Sequence, residues 1–346
     1  MIFVVVRLNI SPGAVPRLPE RATVSLACRG RNATESGHAR RPYIRPVGFA
    51  VPEDTALIAD GGLATELEAR GHDLSDALWS ARLLVDAPQE ITAVHAAFYR
   101  AGAMIATTAS YQASFDAFAA SGISRDDTVG LLRRSVELAT IARDEVGGAD
   151  RGVAASVGPY GAALADGSEY RGHYGLSVRQ LENWHRPRLE VLADAGAEVL
   201  ALETIPDVDE AEALVNLVRS LGVPAWLSYT IDGTHTRAGQ PLADAFAVAA
   251  GVPEIVAVGV NCCAPNDVLP AIGPARETGK PVIVYPNSGE CWDSARRAWV
   301  GGSRFSPRLA VQWAAAGARV IGGCCRVRPA DIAELTTTLA EPADQS

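Results

Sequence analysis

No apolar run in the 346-residue chain approaches the roughly 18 residues that a membrane-crossing helix needs. The opening MIFVVVRLN offers only the short run IFVVV before Arg7, with no charged segment ahead of it and no clear cleavage site, which makes a poor signal peptide. The chain therefore reads as soluble and cytoplasmic. Positive charge is also scarce: the formal net charge is -9 and the pI about 5.2. Nucleic acid and anionic lipid both need a concentrated basic surface, so neither is expected as a main partner. A small-molecule ligand fits better, and a homo-oligomer is compatible with all of this. Six cysteines are too few to staple a chain of this length. In a reducing compartment, clustered thiols are more often metal ligands or catalysts.

What the chain does contain is a 48% hydrophobic, 21% charged composition, ordinary for a globular protein with a substantial core. Residues 1–52 stand apart. They carry eight arginines against two acids, Glu20 and Glu35, with scattered proline and glycine and no sustained period, the pattern of a disordered extension. From residue 55 short β-rich runs alternate with alanine- and leucine-rich helical stretches, which signals parallel β/α units. The runs are ALIAD, AMIATTAS, GVAASVG, AEVLALET, AWLSYT, IVAVGVN, PVIVYPN and ARVIGG. Between them lie helical patterns such as PQEITAVHAAFYRAG and DVDEAEALVNLVRSLG, most closing on a glycine C-cap. Eight units over residues 53–342 predict a single-domain (β/α)8 barrel, with a doubly wound open sheet as the weaker alternative.

In a barrel the chemistry sits where the strands end. Those ends read Asp60-Gly61-Gly62, Thr107-Thr108, Ser156, Glu203-Thr204, Tyr229, Asn261-Cys262, Tyr285-Pro286-Asn287 and Gly322-Gly323-Cys324-Cys325. Units six and eight flank a single strand, so Cys262, Cys324 and Cys325 can approach one point at the barrel mouth. Three thiolates there would make a tetrahedral zinc site with one open position, the catalytic arrangement. Gly322 and Gly323 are expected to permit the unusual backbone turn that aims both following sulfurs at one ion. Cys263 points opposite to Cys262 in an extended chain, so only one of that pair should ligate. Its place at the strand end favours Cys262. Cys28 and Cys291 read as isolated thiols.

The blocks DGGLATELEARG, LWSARLL, YRAGAMIATTASYQAS, SVGPYGA, DGSEYRGHY, HRPR, ETIP, GVNC, VIVYPNSGE and AGARVIGGCCRVRPADI resemble the homocysteine S-methyltransferases over residues 55–338. GVNC and GGCC are similar to zinc-dependent homocysteine methyltransferases in general. TTASYQAS and YPNSGE resemble the branch that uses S-methylmethionine or S-adenosylmethionine as donor. The resemblance implies a (β/α)8 barrel holding Zn2+ through Cys262, Cys324 and Cys325, with the homocysteine thiolate at the open position attacking a sulfonium methyl to give methionine. A thiol with pKa near 8.5 is mostly protonated at neutral pH, and metal coordination removes that proton. The leaving thioether is neutral and needs no general acid, which fits the absence of histidine at any strand end. His72, His95, His173, His185 and His235 read as structural or solvent-facing.

On this reading Glu203 takes the ammonium of homocysteine. Asp60, the amides around Gly61 and Gly62, and Thr108 belong to the same amino-acid pocket by resemblance. Asn261 is expected to orient the thiolates from behind. Tyr111, Tyr285, Asn287, Ser288 and Glu290 are candidates for the donor pocket, where an aromatic face favours a cationic sulfonium. Two alternatives stand beside it. One is another donor on the same scaffold: betaine, or methylcobalamin and folate, for whose modules no room is expected after the eighth unit. The other is a non-enzymatic zinc or thiol-binding barrel, which requires Cys263 or Cys291 as a fourth, closing ligand.

Overall fold

The computed structural model describes residues 51–74, 79–148, 150–293 and 298–340. The extension expected over residues 1–52 lies, save its last two residues, outside them, as does Cys28. All eight expected runs form strands: β1 (Leu57–Ile58), β2 (Ile105–Thr107), β3 (Gly152–Val157), β4 (Val199–Ile205), β5 (Ala225–Tyr229), β6 (Ile255–Asn261), β7 (Val282–Tyr285) and β8 (Ala318–Ile321). Every pairing among them is parallel, in the order β1-β8-β7-β6-β5-β4-β3-β2. A parallel bridge between Ala59 and Ile105, with Met104 N donating to Ile58 O at 2.7 Å, joins the first strand to the second. That closure leaves no sheet edge and settles the choice between barrel and open sheet in favour of the (β/α)8 barrel.

The sequence dictates the layers. Strands buried on both faces read as continuous apolar runs rather than alternating ones, and β3, β4 and β5 are buried at every position. Their inward residues fill the barrel: Ala59, Ile105, Ala154, Ala201, Trp226, Ala257, Ile283 and Val320 form one cluster. Small side chains from some strands accept the indole of Trp226 from another. The outward residues pack under the helices in a second, larger cluster. Those helices start and stop on the expected chemistry. Pro88, Pro265 and Pro307 open three of them, Ser177 and Gln180 form a capping box on Val178–Ala193, and Gly222 and Gly317 close two at φ of 65° and 117°. No helix of the described residues is long and apolar enough to cross a membrane.

Candidate metal centre and substrate pocket

The three expected cysteines meet. The sulfurs of Cys262, Cys324 and Cys325 all lie within 4.8 Å of one another, and Cys262 Sγ is 3.8 Å from Cys325 Sγ. Strand β7 separates the two contributing strands, as the order of units demands. Cys262 follows β6 directly, at φ 50°, and its amide donates to the Tyr285 carbonyl at 3.2 Å. Past β8, Cys324 N donates to Pro286 O at 2.8 Å and Cys325 N to Asn287 Oδ1 at 3.1 Å. Both segments therefore hang on the end of β7 and the residues that follow it. With protons alone in the cluster, hydrogen bonds from Cys324 and Cys325 hold Cys262 well below the usual thiol range. The same bonds, with burial, push Cys324 and Cys325 up. Three sulfurs this close together form a donor set that can hold a metal ion.

Gly322 and Gly323 do their work differently from the expectation. Neither lies at positive φ. The reason for glycine is space: a Cβ on Gly322 would sit 2.8 Å from the Asp60 carbonyl oxygen, and one on Gly323 would sit 2.2 Å from Val327 Cγ1. Gly323→Ala is accordingly expected to overpack this corner, at a cost of about 2 kcal/mol. It should lower Tm by about 4 °C in a thermal melt.

Cys263 faces away from the cluster. It is 1% exposed, packs in the outer apolar core, and burial pushes its thiol up. It cannot act as a closing ligand. The Cys291 side chain lies outside the described residues.

One pocket opens over the cluster. Gly61, Gly62, Thr108, Tyr111, Glu203, Cys262, Tyr285, Cys324 and Cys325, all expected there, line it. Asp60, Asn261 and Asn287 stand behind its wall. Both Asp60 oxygens accept from Thr107, one from its amide at 2.8 Å. Asn261 does not touch the sulfurs: Thr204 N donates to its Oδ1 at 2.7 Å and its Nδ2 donates to Thr204 Oγ1 at 2.8 Å. Those two bonds hold Thr204 at φ 60°, a strained conformation for a β-branched residue. Ser288 and Glu290 are turned elsewhere. Ser288 donates to Glu290 Oε2 at 2.8 Å, and Glu290 is ion-paired with Arg326 at 3.2 Å.

The ionisable groups of the pocket are acids, with no basic side chain in its lining among the described residues. Glu203 accepts from Ser156 Oγ, and burial raises its pKa to about 7 against those stabilising bonds. Burial also raises Asp60 well above the carboxylate range, with Glu203 repelling it in addition. Tyr285 accepts from Trp226 Nε1 at 3.0 Å and forms part of the barrel's inner cluster. Among the lining residues not singled out from sequence, two carry ionisable groups, Glu169 and Tyr170. They sit on a one-turn 3-10 helix, Ser168–Tyr170, after β3. Tyr170 Oη is 3.2 Å from Cys262 Sγ, and burial followed by the negative charges of Cys262 and Asp166 raises Glu169 to about 7. Their only sequence signal is the DGSEYRGHY block as a whole.

No histidine lines the pocket. Of the two buried ones, His185 bridges Glu210 at 2.8 Å and Arg188 at 2.9 Å, and burial lowers His95 to about 4.

A closed parallel barrel carries three convergent thiols and two buried carboxylates at the carboxyl ends of its strands, which is where barrel enzymes hold their chemistry and where a metal ion could be bound. The homocysteine S-methyltransferase family model matches residues 57–339. Homocysteine S-methyltransferase of Escherichia coli K12 is 48% identical over 301 residues, covering 84% of this chain and 97% of that protein. A Bacillus subtilis homocysteine S-methyltransferase, YbgG, is 42% identical over 306 residues, again covering 84% and 97%. The crystal structure of the E. coli homocysteine methyltransferase MmuM in its metallated form superposes with a TM-score of 0.74 at 46% identity, covering 82% of this chain and 96% of that one. The chain belongs to the homocysteine S-methyltransferase family, and is thereby an enzyme of the methyltransferase class.

Proposed function

We propose that the barrel, residues 53–342, transfers a methyl group from S-methylmethionine, or from S-adenosylmethionine, to the thiol of L-homocysteine, giving methionine, with Zn2+ held by Cys262, Cys324 and Cys325. The observation that carries this reading is the three-thiol cluster lining one pocket with Glu203. The Cys262 and Cys325 sulfurs lie 3.8 Å apart and all three lie within 4.8 Å of one another, close enough for all three to hold one ion. When bound, the ion lowers the pKa of an exogenous thiol so that it is a thiolate at neutral pH.

The chain's own groups do the rest. Glu203, flanked by Asp60, receives the acceptor's ammonium and fixes its sulfur over the cysteines. The backbone at Gly61 and Gly62 lines the amino-acid side of the pocket, packed too tightly on Val327 and Cys324 for a Cβ, and Thr108, bonded to Ser110 at 2.7 Å, forms the adjoining wall. Tyr111 and Tyr285 present aromatic surface to the donor, and Asn287 keeps the Cys325 segment in place. The acceptor sulfur forms a new bond to the methyl carbon as the donor's S–CH3 bond breaks, and that electron pair stays on the departing thioether. The acceptor's thiol proton leaves to solvent. No side chain has to protonate the leaving group, which is consistent with a pocket free of histidine, lysine and arginine among its described residues.

The test is methionine formation from homocysteine with S-methylmethionine, S-adenosylmethionine and betaine in turn, before and after chelation. Both sulfonium donors should work and betaine should not. Chelation should reduce turnover to background, with recovery on adding zinc. Turnover that survives complete metal removal overturns the mechanism, and turnover with betaine alone overturns the donor class.

A further inference from the structure

Glu169 has no part in the chemistry above. It is 4% exposed, lines the pocket, and its Oε2 is buried without a hydrogen-bond partner. A carboxylate kept in that state is costly unless something completes it. Its position is built rather than incidental. Ser168 N donates to Asp166 Oδ1 at 2.9 Å to start the 3-10 turn, and the turn packs so closely on Gly161 that a Cβ there would lie 2.5 Å from Glu169 N. The next residue, Tyr170, places its hydroxyl 3.2 Å from Cys262 Sγ. The same short turn thus sets Glu169 beside the point where sulfur chemistry takes place.

The pocket supplies no counter-charge of its own, because no lysine or arginine lines it among the described residues. Its other ionisable groups are carboxylates, thiols and phenols. A positive ligand is what this carboxylate lacks. The acceptor's one cationic group already has Glu203, which stands on the neighbouring strand β4. We propose that Glu169 is a specificity-determining residue that binds the positive sulfonium of the methyl donor, an inference that rests on the methyl-transfer reading given above.

The charge argument also says which kinetic constant should move. A sulfonium is fully cationic when it binds and loses its charge as the methyl group departs. A fixed carboxylate therefore stabilises the bound donor at least as much as the transition state, which sets affinity and leaves the rate of the chemical step unaided. Once the methyl group has moved, the donor is a neutral thioether and the attraction is gone. Glu169 would thus admit the charged donor, reject neutral thioethers of the same shape, and let the product go.

The experiment is calorimetry on the zinc-loaded enzyme with two probes of matched shape: S-methylmethionine and 2-amino-5-methylhexanoic acid, in which CH replaces the sulfonium sulfur. Wild type should bind the sulfonium at least about tenfold more tightly than the carbon isostere. In Glu169→Gln that preference should fall to near unity, with homocysteine affinity and kcat at saturating donor changed less than about threefold. Glu169→Asp, which keeps the charge on a shorter arm, should recover part of the preference. A variant that keeps the full preference, one that weakens both probes equally, or one that loses homocysteine to the same degree overturns the assignment. Wild-type enzyme that forms no methionine from either sulfonium donor overturns the underlying reaction instead, so the two failures are told apart.

Discussion

Cys262→Ala should leave the protein folded but nearly free of metal and inactive, with bound zinc falling from about one ion per chain toward zero and turnover dropping at least about a thousandfold. The reasoning begins with donor count. Three sulfurs and no other metal-binding side chain form the cluster among the described residues, so each carries a large share of the affinity. Cys262 is the sulfur on which the hydrogen bonds from the other two converge, and it also faces the Tyr170 hydroxyl at 3.2 Å. Without it, only Cys324 and Cys325 remain, and a metal ion must displace the protons of both with one ligand fewer. The backbone tolerates the change, because Ala keeps a Cβ at the same φ of 50°. The contrast is Cys263→Ala, one residue along the chain. That side chain lies in the core away from the sulfurs, so zinc content and turnover should persist while Tm drops by a few degrees. Metal analysis with a steady-state assay on both variants decides the matter, and zinc retained at wild-type levels in Cys262→Ala would sink the assignment.

Much of this arrangement is legible in the letters. Strands buried on both faces announce themselves as apolar runs, and eight of them between amphipathic stretches leave few topologies open. Once the barrel is granted, strand ends are neighbours, and the meeting of Cys262 with Cys324 and Cys325 follows from strand order alone. Periodicity says nothing about loops, and there the reading stops. Glu169 and Tyr170 belong to a single turn whose position depends on its contact with Gly161, a relation between segments that no local pattern encodes. Thr204 at φ 60° is equally silent in sequence, because its conformation is imposed by the amide of Asn261 from another strand. Asn261 itself was expected behind the thiolates, and its side chain is bonded instead to Thr204. Glu290 looked like a pocket carboxylate because it shares the YPNSGE block, and Arg326 draws it aside. For Gly322 and Gly323 the letters signalled a constraint correctly. Whether that constraint was torsion or space depended on what packs against them.

The second large effect concerns Glu203. Glu203→Gln should lower kcat/KM for homocysteine by about 30- to 1000-fold, through loss of a buried charge pairing with the acceptor's ammonium worth about 2–4 kcal/mol. The pH profile gives this prediction its specificity. Burial raises Glu203 from its ordinary value of 4.5 to about 7, so in the free enzyme the carboxylate becomes neutral as pH falls through 7 and can no longer hold an ammonium ion. Because kcat/KM reports groups of the free enzyme, its acid limb should be steeper by one proton in wild type than in the glutamine variant. Stability should move the opposite way. The unfolded chain gives up this proton near 4.5 and the folded chain near 7, so ionising Glu203 in place costs stability that is lost progressively between those two values and is fully absent above 7. Glutamine keeps the shape without that cost. Glu203→Gln should therefore melt higher than wild type at pH 8 and about equally at pH 4. A variant that loses homocysteine and is no more stable at high pH would mean that Glu203 supports the pocket wall and carries no functional charge.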